Sequence, residues 1–233
     1  MTIPQIPPIL HSQIQAMKKL FLSLFTLASV HSFAQVSVGL AAGYSSSNIG
    51  KMDLVTSKRL SSVNGGLLLD YQFPASGLHL QSGILYAPMG FGKSDITAVD
   101  NTGKDLGKIE SHRIGYVQVP AYLTYGSLSI NFALRGGIGP FIGFKTSDKL
   151  MVAGGEHFGN GTAVPGNTIA LKNIVAGAGL HLSANFYHYQ IAFEFQQTFT
   201  GLYENTVSTA KKWNANSFGI KLGYFFRTVH EGF

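Results

Sequence analysis

Hydrophobic and polar residues alternate with a period of two along most of the chain after Gln35. From Val63 to Phe73, one set of alternate positions is mainly Val, Leu, Tyr and Phe, and the other is mostly polar. The same pattern recurs after Tyr189 and after Ser217. Successive side chains of a strand point to opposite faces, and β-branched and aromatic residues favour strands. The pattern therefore predicts β-strands with one apolar and one mostly polar face.

Segments of this kind number eight. They cover approximately residues 36–44, 62–73, 78–89, 112–125, 128–144, 171–186, 188–200 and 213–226. The connections alternate between short ones at 74–77, 126–127 and 187 and long ones at 45–61, 90–111, 145–170 and 201–212. In a meander, all tight turns then lie at one end and all long loops at the other, as in outer-membrane barrels. The predicted fold is an all-β, eight-stranded, antiparallel, up-and-down transmembrane β-barrel.

The longest apolar run lies near the N-terminus and has the features of a secretory signal. Lys18 and Lys19 follow Met17 as a basic region, and an apolar stretch from Leu20 to Val30 precedes the small-x-small sequence Ser32-Phe33-Ala34. The run is shorter than the about 20 apolar residues of a transmembrane helix. We expect four segments: 1–16 as an over-called extension before the true start, 17–34 as a signal peptide, 35–226 as the barrel and 227–233 as a short tail.

The composition indicates which solvent meets the outer face of the barrel. Of the 233 residues, 45% are hydrophobic and 12% are charged, against about 25% charged in soluble domains. The polar strand faces are mostly Gly, Ser, Asn, Gln and Thr, which is too little charge for a wall in water. We therefore expect the apolar faces to point outward into lipid. Aromatic residues near strand ends are expected to form an interfacial girdle: Tyr44, Tyr71, Phe73, Tyr122, Tyr125, Phe144, Phe186, Tyr189 and Tyr224.

An alternative of a different class is a secreted soluble barrel that carries an apolar ligand, as lipocalins do. Its polar strand faces would have to cover the exterior and its apolar faces would line the ligand cavity. The direction in which the two faces point separates the alternatives.

Four charged residues fall on the faces that are predicted to point inward: Asp70, Arg135, Glu194 and Lys221. The interior of an eight-stranded barrel is just wide enough for side chains to fill it. Unpaired charges would be costly there, so we predict a structural ion-pair network that closes the bore and leaves no sizeable pore. The alternation also points His79 and His181 inward.

The sequence contains no motif for catalysis or for cofactor binding. Patterns of the P-loop, zinc-protease, nucleophile-elbow and EF-hand types are absent. Without cysteine there are no disulfides, thiolate zinc sites or cysteine nucleophiles. Removal of the signal leaves 15 basic and 11 acidic residues, a surplus too small to call for nucleic acid. We therefore predict a non-enzymatic protein with no cofactor, no metal site and no nucleic-acid partner.

A rim-active enzyme is a second alternative, because some outer-membrane barrels carry Asp, His and Ser near the rim. The candidate residues are His112 with Ser111 and either Asp95 or Asp100. The histidines of the mature chain lack the i, i+2 or i, i+4 spacing that is typical of a metal site.

An ordered set of short motifs resembles the PorT-like outer-membrane β-barrel family. The motifs are Gly83-Ile84-Leu85-Tyr86 with Gly90-Phe91, Tyr116-Val117-Gln118-Val119-Pro120 with Tyr122-Leu123, Gly137-Ile138-Gly139-Pro140-Phe141-Ile142-Gly143, Ala176-Gly177-Ala178-Gly179, Thr200-Gly201-Leu202 and Leu222-Gly223-Tyr224-Phe225-Phe226. The resemblance implies an integral outer-membrane protein of a Gram-negative cell. The founding member of the family is linked to protein secretion by the type nine system.

The C-terminus departs from the family pattern, in which the closing strand ends near its final aromatic residue. This chain continues to Phe233, so we expect the signal for barrel assembly to lie at Tyr224 and Phe226. The expected role is structural or interaction-mediating, through long extracellular loops and with a link to a secretion assembly. The expected partners are outer-membrane lipid, the barrel-assembly machinery during insertion, and a protein at the extracellular loops or the periplasmic turns.

Overall fold

The computed structural model describes residues 36–49, 57–74, 76–95, 97–99, 104–126, 132–153, 155–158, 171–202 and 214–226. All described residues belong to one compact unit, Val36–Phe233. The predicted extension, signal peptide and tail lie outside the described residues. No helix in the described part of the chain is long and apolar enough to cross a membrane.

Eleven strands occur in the described ranges. They are β1 (Val36–Ile49), β2 (Leu60–Gln72), β3 (Leu78–Tyr86), β4 (Met89–Phe91), β5 (Thr97–Val99), β6 (Asp105–Gly126), β7 (Phe132–Val152), β8 (Gly155–Phe158), β9 (Ile174–Phe186), β10 (Tyr189–Thr198) and β11 (Ala215–Phe225). Eight of them form a closed antiparallel ring in the order β1, β2, β3, β6, β7, β9, β10, β11 and back to β1. The ring confirms the predicted all-β, eight-stranded, antiparallel, up-and-down barrel.

The strands of the ring are staggered. A walk from each residue to its partner on the next strand starts at Val36 and returns to β1 at Ser46, ten residues further along. The walk passes through Tyr71, Leu80, Leu123, Ile138, Leu180, Phe195 and Phe218. Such a stagger means that the strands tilt from the barrel axis.

Burial alternates along every strand of the ring, and the polar face is the buried one. In β10, Gln190, Glu194 and Gln196 are buried, whereas Tyr189, Ile191, Phe193 and Phe195 are exposed. The other strands follow the same rule within the ring, apart from a buried apolar cluster of Ala41, Leu68, Leu85 and Phe225. The barrel thus has an apolar outer wall and a polar interior, the reverse of a soluble barrel.

Parts of the predicted long loops are strands. β1 continues to Ile49, β6 begins at Asp105 instead of 112, and β7 continues to Val152 instead of 144. β6 and β7 therefore extend beyond the ring as a paired arm, to which β5 and β8 add short antiparallel pairings. The alternation fails there because the β6–β7 register shifts twice and such irregularities change which face a side chain occupies.

Candidate functional site: the filled lumen and the covered mouth

One ion-pair cluster lies inside the barrel around Asp70. Arg135 Nη1 donates to Asp70 Oδ2 over 2.9 Å, and His79 Nδ1 lies 3.4 Å from the same oxygen. All three side chains are buried. Asp70 is on β2 and Arg135 on β7, three strands apart in the ring, so the pair spans part of the bore.

A second cluster surrounds Glu194. Lys221 Nζ donates to Glu194 Oε2 over 2.6 Å, and His181 Nδ1 lies 3.3 Å from Oε1. The ring of Tyr122 stacks on His181 with centroids 5.2 Å apart, and Gln196 Nε2 donates to the Tyr122 hydroxyl over 2.9 Å. Tyr122 therefore belongs to the lumen, and its predicted place in the outer girdle is wrong. It directly precedes the outward-facing Leu123 and so has the opposite direction.

Amide side chains occupy further space in the bore. Gln81 on β3 and Gln190 on β10 stand four strands apart in the ring of eight, yet their amides hydrogen bond over 3.0 and 3.3 Å. Gln190 also donates to Asn185 Oδ1 over 2.9 Å. Because side chains from opposite walls meet at bonding distance, the bore is filled at this level.

The small size of certain glycines makes this filling possible. A Cβ at Gly179 would lie 2.9 Å from the Tyr122 hydroxyl, and one at Gly177 would lie 2.6 Å from the ring of Phe141. Glycine at these two positions therefore leaves room for the aromatic side chains that fill the bore.

A small cavity remains beside the second cluster. It is bounded by Asn64, Glu194, Lys221 and Ser217 together with the chain at Met89, and its volume is about 20 Å³. That volume holds about one water molecule, and Asn64 Oδ1, buried without a protein partner in the described structure, is suited to bind it.

The long-loop end of the barrel is covered by β4. β3 pairs with β6, and after Ala87-Pro88 the chain pairs with β6 again as β4, from Met89 onward. β4 also contacts β1, β2 and β11. The Ser47 hydroxyl bonds to both the N–H and the C=O of Gly90 over 3.1 Å. All three residues of β4 are buried, so this segment leans across the opening and does not continue along the wall.

An apolar cluster surrounds β4. Its buried members are Ile49, Met89, Phe91, Ala98, Ile109, Ile114, Tyr116, Phe141, Leu150, Val152, Val175, Leu202 and Ala215. Several come from regions that the sequence predicts to be polar loops, so the cluster was not foreseen. Its signal in the sequence is the recurrence of single large apolar residues in β4 and the β6–β7 arm, without a regular period.

The predicted rim constellation does not assemble. His112 Nε2 contacts Asp148 Oδ1 at 2.7 Å, and Asp95 instead faces Lys108 at 3.6 Å. Ser111 and His112 are consecutive strand residues and so point to opposite faces. Asp100 lies outside the described residues. His112 is thus bound to Asp148 within the arm, and Asp95 is paired with a different residue.

The predicted assembly residues lie on the outer wall at the short-turn end. Tyr224 is 39% and Phe226 57% exposed, and their rings meet edge to face. The Phe226 N–H donates to the carbonyl of Val38 over 2.7 Å, which fixes the end of the closing strand.

Within the described residues, no group of three His, Asp or Glu side chains could hold a metal ion. The four predicted lumen residues occur as two ion pairs, Asp70 with Arg135 and Glu194 with Lys221. One histidine contacts the carboxylate of each pair. The histidine contacts and the glutamine bridge were not predicted, although the alternation placed His79 and His181 on the inward faces.

No model of a known protein family matches the sequence, and no curated protein matches it. Among solved structures, Ail, the attachment invasion locus protein of Yersinia pestis, is 13% identical with a TM-score of 0.40, covering 82% of this chain and 99% of that one. Neisserial surface protein A is 9% identical with a TM-score of 0.42 and coverages of 81% and 96%. The N-terminal β-barrel domain of Pseudomonas aeruginosa OprF is 8% identical with a TM-score of 0.35 and coverages of 82% and 97%. Overlaps this loose transfer no activity or partner.

Proposed function

We propose that this protein is an integral outer-membrane β-barrel of a Gram-negative bacterium, closed to ion flow and non-enzymatic, with a structural or interaction-mediating role. One observation carries the proposal: a closed ring exposes apolar side chains around its whole circumference and buries its charges inside. Val63 is 71% and Leu222 63% exposed. In water such a wall would be an apolar patch far larger than soluble monomers show.

Lipid is the solvent in which this arrangement is stable. Apolar side chains lose nothing by facing hydrocarbon, and a closed ring leaves no strand edge with unpaired N–H and C=O groups. A soluble ligand carrier of the lipocalin type would need the opposite arrangement, with an apolar cavity inside. The ion pairs and amide contacts of the lumen leave no such cavity in the described part of the barrel.

The orientation follows from the connections. Outer-membrane barrels have short periplasmic turns and longer extracellular segments. The turn at Tyr187 lies at the short-turn end, and the β6–β7 arm and β4 lie at the other. The arm, stiffened by β5 and β8, is therefore on the cell surface and is the part best suited to bind another protein.

The finer assignment is membership of the PorT-like family and a link to a secretion assembly. The ordered motifs on the ring strands support it, and a rigid surface arm is compatible with a subunit role. Crosslinking in intact cells followed by isolation of outer membranes tests this assignment. A reproducible stoichiometric partner supports an assembly subunit, and absence of any partner supports a stand-alone barrel.

Three measurements test the membrane assignment. Unheated protein is expected to migrate faster on detergent gels than boiled protein, because the closed ring survives in detergent. Protease added to intact cells is expected to cut in the long connections and to spare the short turns. Recovery of the secreted protein in the detergent-free soluble fraction would contradict the proposal.

A further inference from the structure

Two arginines stand on the outer wall at the long-loop end. Arg59 directly precedes β2 and Arg113 lies on β6, and both are exposed. Arg113 Nη2 donates to the carbonyl of Ser61 over 3.2 Å, so its side chain reaches across the wall to the start of β2. Ser61 is the register partner of Ser46 on β1, and the Arg59 guanidinium bonds to Ser46. The two guanidinium groups therefore contact residues that are paired across β1 and β2.

Arg59 is held in a fixed position. Its Nη2 donates to the carbonyl of Ser46 over 2.5 Å, its Nε to Ser46 Oγ over 3.0 Å and its Nη1 to Asn216 Oδ1 over 3.0 Å. The guanidinium lies 4.5 Å from the centre of the Phe218 ring. Partial burial lowers the pKa of Arg59 from its usual value, but a guanidinium remains charged at physiological pH.

Both arginines keep N–H donors for a ligand. A guanidinium has five N–H donors, of which the contacts above use three on Arg59 and one on Arg113. The planar fork of arginine matches phosphate oxygens. Exposed Lys58 and Lys93 lie at the same edge, where the Lys58 N–H donates to the carbonyl of Lys93 over 2.9 Å.

The arginines stand where the outer wall changes from polar to apolar. At their level the outward residues of β2, β1 and β11 are Ser61, Ser46 and Phe218. The next outward row towards the short turns is Val63, Tyr44 and Ile220, and the row after that is Gly65, Ala42 and Leu222. The upper row thus carries two arginines and two serine hydroxyls beside Phe218, and the two rows nearer the short turns are mainly apolar. The same change from polar to apolar occurs across a lipid leaflet, from the headgroups to the acyl chains.

The third row is also low in relief. Ala42 and Gly65 are neighbours across β1 and β2, flanked by Leu222 on β11 and Tyr86 on β3. Small residues between larger ones leave a shallow depression, into which an acyl chain below the arginines can pack.

We propose that Arg59 and Arg113 form a clamp for the phosphate of an anionic outer-leaflet glycolipid whose acyl chains lie on Tyr44, Val63 and Ile220. This inference rests on the proposed outer-membrane location. Two fixed cations attract one dianionic group, and the low dielectric constant at the membrane edge strengthens that attraction. The chain would thus select its surrounding lipid on one side of the barrel.

The experiment is a binding titration of the purified barrel in uncharged detergent, read by native mass spectrometry. The probes are diphosphorylated lipid A, enzymatically dephosphorylated lipid A and inorganic phosphate. The variants are Arg59→Gln/Arg113→Gln, which removes both charges, and Arg59→Lys/Arg113→Lys, which keeps the charges without the planar fork. The matched control is Lys104→Gln/Lys108→Gln, which removes two charges from the far part of the arm.

We expect the wild type and the lysine-to-glutamine control to bind diphosphorylated lipid A alike. The double glutamine variant should bind about thirtyfold more weakly, as loss of two cation contacts at a membrane surface implies. The double lysine variant should lie between them, and removal of the lipid phosphates should abolish the difference between wild type and double glutamine variant.

The contrary outcomes are equally clear. Equal binding of diphosphorylated lipid A by the wild type and the double glutamine variant overturns the clamp. Saturable binding of inorganic phosphate with the affinity of the lipid also overturns it, because that result would indicate a site for a free anion. Heat-modifiable migration of each variant shows whether the barrel has formed. A heat-modifiable barrel without phosphate selectivity refutes only the clamp, whereas a soluble, unmodifiable protein refutes the proposed function.

Discussion

At the scale of single residues, the interior charges are partnered by residues that are distant in sequence. Asp70 meets Arg135 and His79, and Glu194 meets Lys221 and His181. The alternation identifies the inward faces because its period is that of a strand. It cannot identify the pairs. The contacts of His79, His181 and Lys221 depend on the register between adjacent strands. The pair of Asp70 with Arg135 joins non-adjacent strands and depends on the stagger of the closed ring, which no local pattern encodes.

Replacement of Arg135 by methionine is expected to destabilise the barrel by about 3–5 kcal/mol, because it removes the cation that pairs with the buried carboxylate of Asp70. The measurement is the urea midpoint of unfolding in lipid vesicles. The double variant Arg135→Met/Asp70→Asn removes both charges and should recover a large part of the loss. A double variant no more stable than the single one would contradict the view that the uncompensated charge causes the loss.

Gly179 tests the crowding of the lumen. Gly179→Val places branched carbon where a Cβ would already lie 2.8 Å from the carbonyl oxygen of Phe195 and 2.9 Å from the Tyr122 hydroxyl, so we expect about 1–3 kcal/mol of destabilisation from overpacking. The heat-modifiability temperature should fall. The combined variant Gly179→Val/Tyr122→Phe removes the hydroxyl, so its heat-modifiability temperature should fall less than that of Gly179→Val. Gly155→Val serves as a comparison for steric crowding alone, because a Cβ at Gly155 has no atom within 4 Å. Its backbone φ of +131° is unfavourable for valine, so some destabilisation is expected there as well.

At the scale of elements, the sequence predicts the strands of the wall far better than the mouth. The number of ring strands and their order follow from the alternation, since one face of each strand meets lipid. β4 and the extensions of β6 and β7 have no lipid contact that would impose the alternation, and their residues are buried on more than one side. Proline at position 88 and the register shifts of the arm break the period there.

The apolar cover at the mouth should contribute strongly to stability. Phe91 is 2% exposed and packs within the apolar cluster, so Phe91→Ala is expected to cost about 3–5 kcal/mol. Unfolding in vesicles measures the loss. Phe199→Ala is a matched control, since Phe199 is 59% exposed and its removal from the outer wall should cost much less. Equal losses for the two variants would mean that β4 is not part of a packed core.

At the scale of the whole molecule, the low fraction of charged residues has one cause. The chain folds with its apolar faces outward, so a wall that would carry Lys and Glu in water carries Leu, Ile, Val and Phe. Composition and alternation together are enough to predict that inversion. They do not by themselves determine whether the bore is open, because a polar interior suits a water-filled channel as well as a closed network. The hydrogen bonds between Gln81 and Gln190 across the bore support the closed network.

Two independent barriers lie in series along the barrel axis: the apolar cover of the mouth and the hydrogen-bonded lumen. We therefore expect no stable nanosiemens-scale conductance from the purified wild-type monomer in planar bilayers. Phe91→Ala weakens only the cover, so it should destabilise the protein without opening a pore. Gln81→Ala/Gln190→Ala removes the bridge across the bore but leaves both ion-pair clusters, and it should remain closed as well. Conductance is expected only when the cover, the bridge and the charged pairs are weakened together. Steady conductance in the Phe91→Ala barrel would show that the lumen network does not seal the bore by itself.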